Sequence, residues 1–307
     1  MEALYVATPL WHSRPLSAIL GGPVYLKMEA FQPVGSFKAR GMGAACLASY
    51  GAGVRKVVCA SGGNAGLAVA YASRQLGMQA TIVVPERASP RSIELIKAEG
   101  ARLLVHGASW DESQIFANEL AEKEGADVIH PFDDPRVWAG HASIIYELAK
   151  SEVKPGLLVV SVGGGGLMCG LLEGLHAVDW QDVPVLAVET HGAASFAASV
   201  QAGRLVTLDK ITSVATTLGA RRVTTRALEW LGRHEITPWL VSDRQAVDAC
   251  LRFADDHRVL VEPACGAALA VAYDRAQPVE GRAPLVIIVC GGAGVTRELL
   301  QDWDQSV

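Results

Sequence analysis

The 307-residue sequence has no uninterrupted apolar stretch that approaches the roughly 18 residues of a membrane-spanning helix. Its first residues, Met1-Glu2-Ala3-Leu4, lack the basic start and apolar block of a secretory leader, so a cytoplasmic location is expected. Basic residues never run beyond pairs such as Arg221-Arg222, and 27 of them face 32 acidic ones for a net charge of −5. Without a basic stripe, neither nucleic acid nor an anionic membrane surface is an expected partner. The six cysteines include no C-x-x-C pair, which removes support for a zinc site or a thioredoxin-type redox motif. The eight histidines include no H-E-x-x-H, so a metalloprotease is equally unsupported. Charged residues make up only 19% against 50% hydrophobic, which excludes a disordered chain. There is no internal repeat and no low-complexity segment.

What is present reads as strands alternating with helices. Short β-branched runs occur at Val24–Leu26, Lys56–Cys59, Ala80–Val84, Leu103–Val105, Leu157–Val162, Val185–Val188 and Leu285–Val289. Helix-like segments include Ala65–Leu76, Ser92–Glu99, Glu112–Glu124 and Gln245–Phe253. The apolar runs do not alternate with polar residues, as expected of strands buried on both faces. That pattern predicts an α/β protein with mainly parallel sheets covered by helices. The length suits about two domains of roughly 150 residues, and the polar segment Phe132-Asp133-Asp134-Pro135-Arg136 is a plausible crossing between them.

The 31 glycines cluster where strands end, the place where open α/β sheets bind ligands. Four constellations stand out. In Ser36-Phe37-Lys38-Ala39-Arg40-Gly41, Ser36 is a candidate N-cap and Lys38 falls in the first helical turn. A lysine there opposes the helix dipole, which points either to a covalently engaged amine or to a solvated surface lysine. In Ser61-Gly62-Gly63-Asn64-Ala65-Gly66, backbone N–H groups can cradle an anion, or Asn64 can simply cap a helix. Gly163-Gly164-Gly165-Gly166 carries more glycine than a turn needs, which favours close approach to a phosphate. Cys290 ends the last apolar run, before Gly291-Gly292, as a ligand-facing thiol or as a buried structural one. A near-match to the dinucleotide fingerprint, Gly164-x-Gly166-x-x-Cys169 with Glu189 beyond, leaves a nicotinamide dehydrogenase as a weaker alternative.

Taken together, these segments resemble one family. Gln32-Pro33-Val34-Gly35-Ser36-Phe37-Lys38 looks like the pyridoxal phosphate lysine motif of the serine/threonine dehydratases. Pro131-Phe132-Asp133-Asp134-Pro135, Ser161–Leu167, Glu189-Thr190, Ile211-Thr212-Ser213-Val214-Ala215, Val261-Glu262-Pro263-Ala264-Cys265-Gly266 and Ile288-Val289-Cys290-Gly291-Gly292 look most like the liver-type L-serine dehydratases. The resemblance runs in the same order along nearly the whole chain.

It implies a tryptophan-synthase-β-like fold (fold type II) of two lobes, each with a mainly parallel sheet covered by helices, and a homodimer. A larger lobe would take residues 1–32 plus 137–307, and a smaller lobe residues 33–136, with pyridoxal 5′-phosphate between them. Lys38 would form the Schiff base and act as general base; Phe37 would cover one ring face, Asn64 would bond the ring 3-oxygen, Gly163, Gly164, Gly165 and Gly166 would cradle the phosphate, and Cys290 would face the pyridine nitrogen. Ser61, Gly62, Gly63 and Asn64 would receive the substrate carboxylate. A monovalent cation, expected to be potassium, aligns with Gly163, Glu189, Ala193, Leu218 and Ala220. The implied reaction is β-elimination of L-serine, and of L-threonine, to pyruvate or 2-oxobutanoate plus ammonia. A serine racemase, a threonine-preferring dehydratase and a non-catalytic cofactor-binding protein are the alternatives on the same fold. Two positions depart from the liver-type pattern: Gly62 replaces an alanine, which suggests a looser carboxylate loop, and Thr217 replaces a small apolar residue near the expected cofactor.

Overall fold

The computed structural model describes residues 2–307. Backbone packing divides them into two compact units. One takes the N-terminal residues up to Val6 and Gln32–His141; the other takes Ala7–Phe31 and Ala142–Val307.

The second unit opens the fold with β1 (Leu10–His12), α1 (Arg14–Leu20) and β2 (Val24–Lys27). The chain then builds the first unit from α2 (Lys38–Gly51), β3 (Lys56–Ala60), α3 (Asn64–Leu76), β4 (Gln79–Val84), α4 (Pro90–Ala98), β5 (Arg102–Val105), α5 (Trp110–Glu124) and β6 (Asp127–Val128). Helix α6 (Pro135–Lys150) carries the chain from one unit into the other. The second unit resumes with β7 (Leu157–Ser161), α7 (Gly166–Ala177), β8 (Val185–Thr190), α8 (Ser195–Ala202), α9 (Thr225–Glu229), β9 (Ile236–Val241), α10 (Asp243–His257), α11 (Pro263–Tyr273), β10 (Leu285–Ile288) and α12 (Arg297–Ser306).

The sheet of the first unit is wholly parallel, in the order β5-β4-β3-β6. Its core is made where Val58, Ala60 and Val83 meet Ala117 and Ala121 of α5. Helix α5 is well specified locally. The Ser109 hydroxyl accepts the Glu112 N–H, Asp111 and Glu112 sit in the first turn where the dipole favours acids, and Gly125 ends the helix in the left-handed conformation.

The second unit has a six-stranded sheet in the order β1-β2-β10-β7-β8-β9. Only β1 runs antiparallel to its neighbour. Every residue of β7, β8 and β10 is buried, which is why these runs show no polar alternation. Pro238 is accommodated because β9 is an edge strand. Helix α11 is buried along its whole length and is correspondingly apolar on all sides. Among the described residues, no helix is long and apolar enough to cross a membrane.

Candidate active site

In the first unit, α2 begins at Lys38 itself. The cap position belongs to Phe37 (φ −51°, ψ −21°), with no side-chain cap. This corrects the expectation that Ser36 caps the helix: its hydroxyl is buried without a hydrogen-bond partner, and it is its carbonyl that receives the Ala39 N–H (3.2 Å). The half-buried Lys38 side chain turns its Nζ to the carbonyl oxygen of Pro131, 2.5 Å away, and lies 5.0 Å from the Phe37 ring centroid. The carbonyl answers the electrostatic misfit of a lysine at a helix N-terminus, because it offers a compensating negative pole. The Phe37 ring also packs against His141 (centroids 5.0 Å apart), a fully buried histidine held neutral by desolvation first and then by the nearby Lys38 and Arg40 charges.

Ser61–Asn64 connects β3 to α3 in the same unit. Gly63 occupies the cap position without a side-chain bond, and Asn64 is the first helical residue. The first-turn N–H groups of α3 therefore lack helical acceptors, and all four residues are half-buried, as an anion cradle requires. Gly62 is close-packed. A methyl group there would lie 2.9 Å from the Ala88 Cβ and 3.5 Å from that of Val84. The departure at this position is thus matched by a neighbour, and the space expected to loosen the loop is filled.

In the second unit, Gly163–Gly165 lead from β7 into α7. A Cβ on Gly163 would lie 3.0 Å from Leu218 Cα and 3.2 Å from its carbonyl oxygen. Gly165 caps α7 at φ 88° and, as a glycine, supplies no side-chain cap. The Gly164 carbonyl is fixed by the Thr224 N–H (3.0 Å). Just ahead of the loop, the Ser161 hydroxyl is buried with no hydrogen-bond partner. A helix N-terminus, a glycine cradle and an orphaned hydroxyl suit a phosphate group. Cys290 is buried two residues beyond β10. A hydrogen bond with Cys265, followed by burial, keeps its thiol well above the usual range, so it is neutral. The Thr217 hydroxyl donates to Glu262 Oε1 at 2.9 Å.

The residues aligned with a cation also fall in this unit. Gly163 and Leu218 touch through their backbones, and the Ala220 N–H donates to the Leu218 carbonyl (2.8 Å). Glu189 is fully buried at the end of β8, and its carboxylate accepts the N–H groups of Phe196 and Ala197, both at 2.8 Å. No lysine or arginine pairs with it among the described residues, and burial raises its pKa to about 7. Ala193 is buried in the turn that follows β8. Among the described residues, no cluster of three or more histidine, cysteine, aspartate or glutamate side chains could hold a metal ion. A cation here would depend on carbonyl oxygens plus Glu189.

Two residues that sequence reasoning passed over are His130 and the carbonyl of Pro131. The clue lay only in a histidine side chain next to a proline, just after the short, half-buried strand β6. A carbonyl acceptor leaves no trace in residue type.

The chain belongs to a class of cofactor enzymes, the pyridoxal-phosphate dependent enzyme family, whose model matches residues 1–291. The human "Serine dehydratase-like" protein is 48% identical over 309 residues, covering 98% of this chain and 94% of that protein. The human "L-serine dehydratase/L-threonine deaminase" is 50% identical over 305 residues, covering 96% and 93%. Among solved structures, a fungal L-serine ammonia-lyase from Rhizomucor miehei superposes with a TM-score of 0.93 at 39% identity, covering 99% of both chains. The architecture is that of fold type II.

Proposed function

We propose that this chain is a pyridoxal-phosphate-dependent L-serine ammonia-lyase that also deaminates L-threonine, releasing ammonia with pyruvate or 2-oxobutanoate. The observation that carries the reading is Lys38: a half-buried lysine opening a helix, its amine held by a backbone carbonyl, in a chain of this family. Relatives named for serine and threonine deamination, about half identical over nearly the full length, support the choice of substrate.

The chain's own residues would divide the work as follows. Lys38 would tether the cofactor and, once released, take the substrate α-proton at Nζ. The Gly163–Gly166 backbone and the N-terminus of α7 would hold the phosphate. Ser61–Gly63 and the N-terminus of α3 would receive the substrate carboxylate, and Asn64 would bond the cofactor's ring oxygen. Phe37, ring-packed on His141, would support one face of the cofactor. Cys290, a neutral thiol, is a weak hydrogen-bond partner for a ring nitrogen and would leave it largely unprotonated. The bound cofactor supplies an electron sink for the bond broken at Cα. A potassium ion on Glu189 and the carbonyls of Gly163, Ala193, Leu218 and Ala220 would brace the phosphate loop through the Gly163–Leu218 contact. A homodimer in the cytoplasm is part of the same reading.

The test is to incubate purified protein with pyridoxal phosphate, potassium and L-serine and to measure pyruvate, with Lys38→Ala alongside. Pyruvate from the wild type, falling by at least about 10³-fold in the variant, is expected for loss of the group that takes the proton. Cofactor-loaded wild type that yields no pyruvate would overturn the substrate assignment.

A further inference from the structure

His130 stands one residue before the carbonyl that holds Lys38, and no step of the proposed reaction uses it. It directly follows Ile129, whose N–H still pairs with Val58 of β3 (2.8 Å). From there the imidazole folds back over its own chain. Its Nδ1 accepts the N–H of Asp133 at 2.8 Å and that of Phe132 at 3.3 Å. A ring nitrogen that accepts two N–H donors carries no proton, so the proton belongs to Nε2. The ring stands edge-on to Trp110 (5.6 Å, 83°) and to Phe132 (4.7 Å, 85°). Downstream, the Phe132 carbonyl accepts from Trp138 Nε1 at 2.6 Å. Asp134 is clamped by the Arg136 guanidinium and accepts the Arg136 N–H at 2.8 Å. Pro131 lies between these anchors with a fixed φ and no N–H of its own, so the orientation of its carbonyl follows from the turn.

We propose that His130 is a positioning residue: its unprotonated Nδ1 ties the 130–133 turn so that the Pro131 carbonyl docks the Lys38 amine and holds Nζ ready for bond formation. The inference rests on the reading of Lys38 as cofactor tether and base. Nδ1 is the tie nearest the carbonyl, on the two N–H groups that directly follow it. Protonating Nδ1 would set a third donor against the Phe132 and Asp133 N–H groups and open the turn. The charged groups around the ring are Asp133 and Asp134, which favour its protonation, and Lys38, which opposes it; Trp110 and Phe132 add no charge. Desolvation dominates and the ring stays neutral at pH 7.

Two substitutions separate the acceptor from the ring. In His130→Asn the side-chain carbonyl can accept N–H groups two and three residues on, as in an Asx-turn. His130→Phe keeps the aromatic contacts and removes the acceptor. Cofactor-free wild type and both variants are mixed with pyridoxal phosphate between pH 5.5 and 8.5. The lysine adduct is trapped with borohydride and followed by mass spectrometry, a readout independent of turnover. In His130→Phe, uptake at pH 7.5 is expected to slow by roughly tenfold, the loss of about one hydrogen bond that orients the amine. His130→Asn should stay within about threefold of wild type, by retaining the bond, and toward pH 5.5 its rate should fall less steeply than the wild type's, keeping only the decline that protonation of the lysine amine causes. Uptake by His130→Phe at the wild-type rate and pH dependence would overturn the proposal, as would ¹⁵N shifts placing the proton on Nδ1 in the wild type. If His130→Phe does not fold, the Asn variant's pH profile and the ¹⁵N shifts still decide. An adduct mapping to a lysine other than Lys38 would instead overturn the underlying reading.

Discussion

The turn from His130 to Asp134 is tied by side chains, whereas the loop from Gly163 to Gly166 is built by leaving side chains out. In the first, an imidazole, an indole and a guanidinium each hold a backbone or carboxylate group, and a proline carbonyl is aimed by their combined effect. In the second, the backbone of Gly163 packs on that of Leu218, and the chain passes through a left-handed conformation at Gly165. A side-chain tie can be loosened in steps, by one hydrogen bond at a time or by one proton. A backbone contact cannot yield without moving the strand behind it. The two loops therefore ought to fail differently.

The largest effect is expected in the glycine loop. Gly163→Ala places a methyl against Leu218 Cα and its carbonyl, both backbone, so either β7 or the turn at Leu218 must shift. Strain of this kind costs about 1–3 kcal/mol per position. The affinity for pyridoxal phosphate, titrated in the cofactor-free protein, should weaken by about 10- to 100-fold, since each 1.4 kcal/mol is tenfold. Unchanged affinity would mean that the loop is not packed as tightly as its contact with Leu218 requires.

Acid should separate the loops next. The His130 pKa lies below the ordinary 6.5, chiefly through desolvation, so its ring is neutral in the folded protein at pH 7. A base with a lowered folded-state pKa contributes stability that is present above its unfolded value and lost as the pH falls below it. Between pH 7.5 and 5.5 the Phe132 and Asp133 amides should lose protection from hydrogen exchange, after correction for intrinsic rates. The Thr224 amide, bonded to Gly164, has no titrating acceptor and should keep its protection. Equal loss at all three amides would indicate opening of the whole protein and would remove the contrast.

Much of this was readable in advance, and the reasons are specific. Strands β7, β8 and β10 are buried on both faces, so each opens on at least four consecutive apolar residues that mark it plainly. β1 and β6 span only 3 and 2 residues, too short for any period to show, and β9 carries a proline that an edge position tolerates. Lys38 and the glycine loop could be found because each breaks a local rule, a cation at a helix N-terminus and four glycines in a row. The Ser36 cap failed for the opposite reason. Serine before a helix is a good cap, but a buried turn holds the Ser36 hydroxyl away from any partner. The docking carbonyl was invisible, since it belongs to the backbone and depends on an imidazole whose partners lie two and three residues on.

The smallest effect concerns Gly62, where both kinds of loop construction meet in one place. Restoring an alanine would bring its Cβ to 2.9 Å from that of Ala88, closer than side chains pack. Val84, buried at the end of β4, is the next neighbour at 3.5 Å and gives no room on that side. Ala88 lies in the segment between β4 and α4, half-buried, and can move at modest cost. Overpacking by one methyl costs about 1–3 kcal/mol in a tight core, and a segment that can shift puts Gly62→Ala at the low end, near 1 kcal/mol. The partner that must yield is named by the contact, so Ala88→Gly should restore the stability lost in Gly62→Ala. The pair should show a coupling of roughly 0.5–1 kcal/mol in a double-mutant cycle read by chemical denaturation. Additive effects would mean that the methyl is absorbed elsewhere, and that Ser61–Asn64 can be loosened as gradually as the His130 turn.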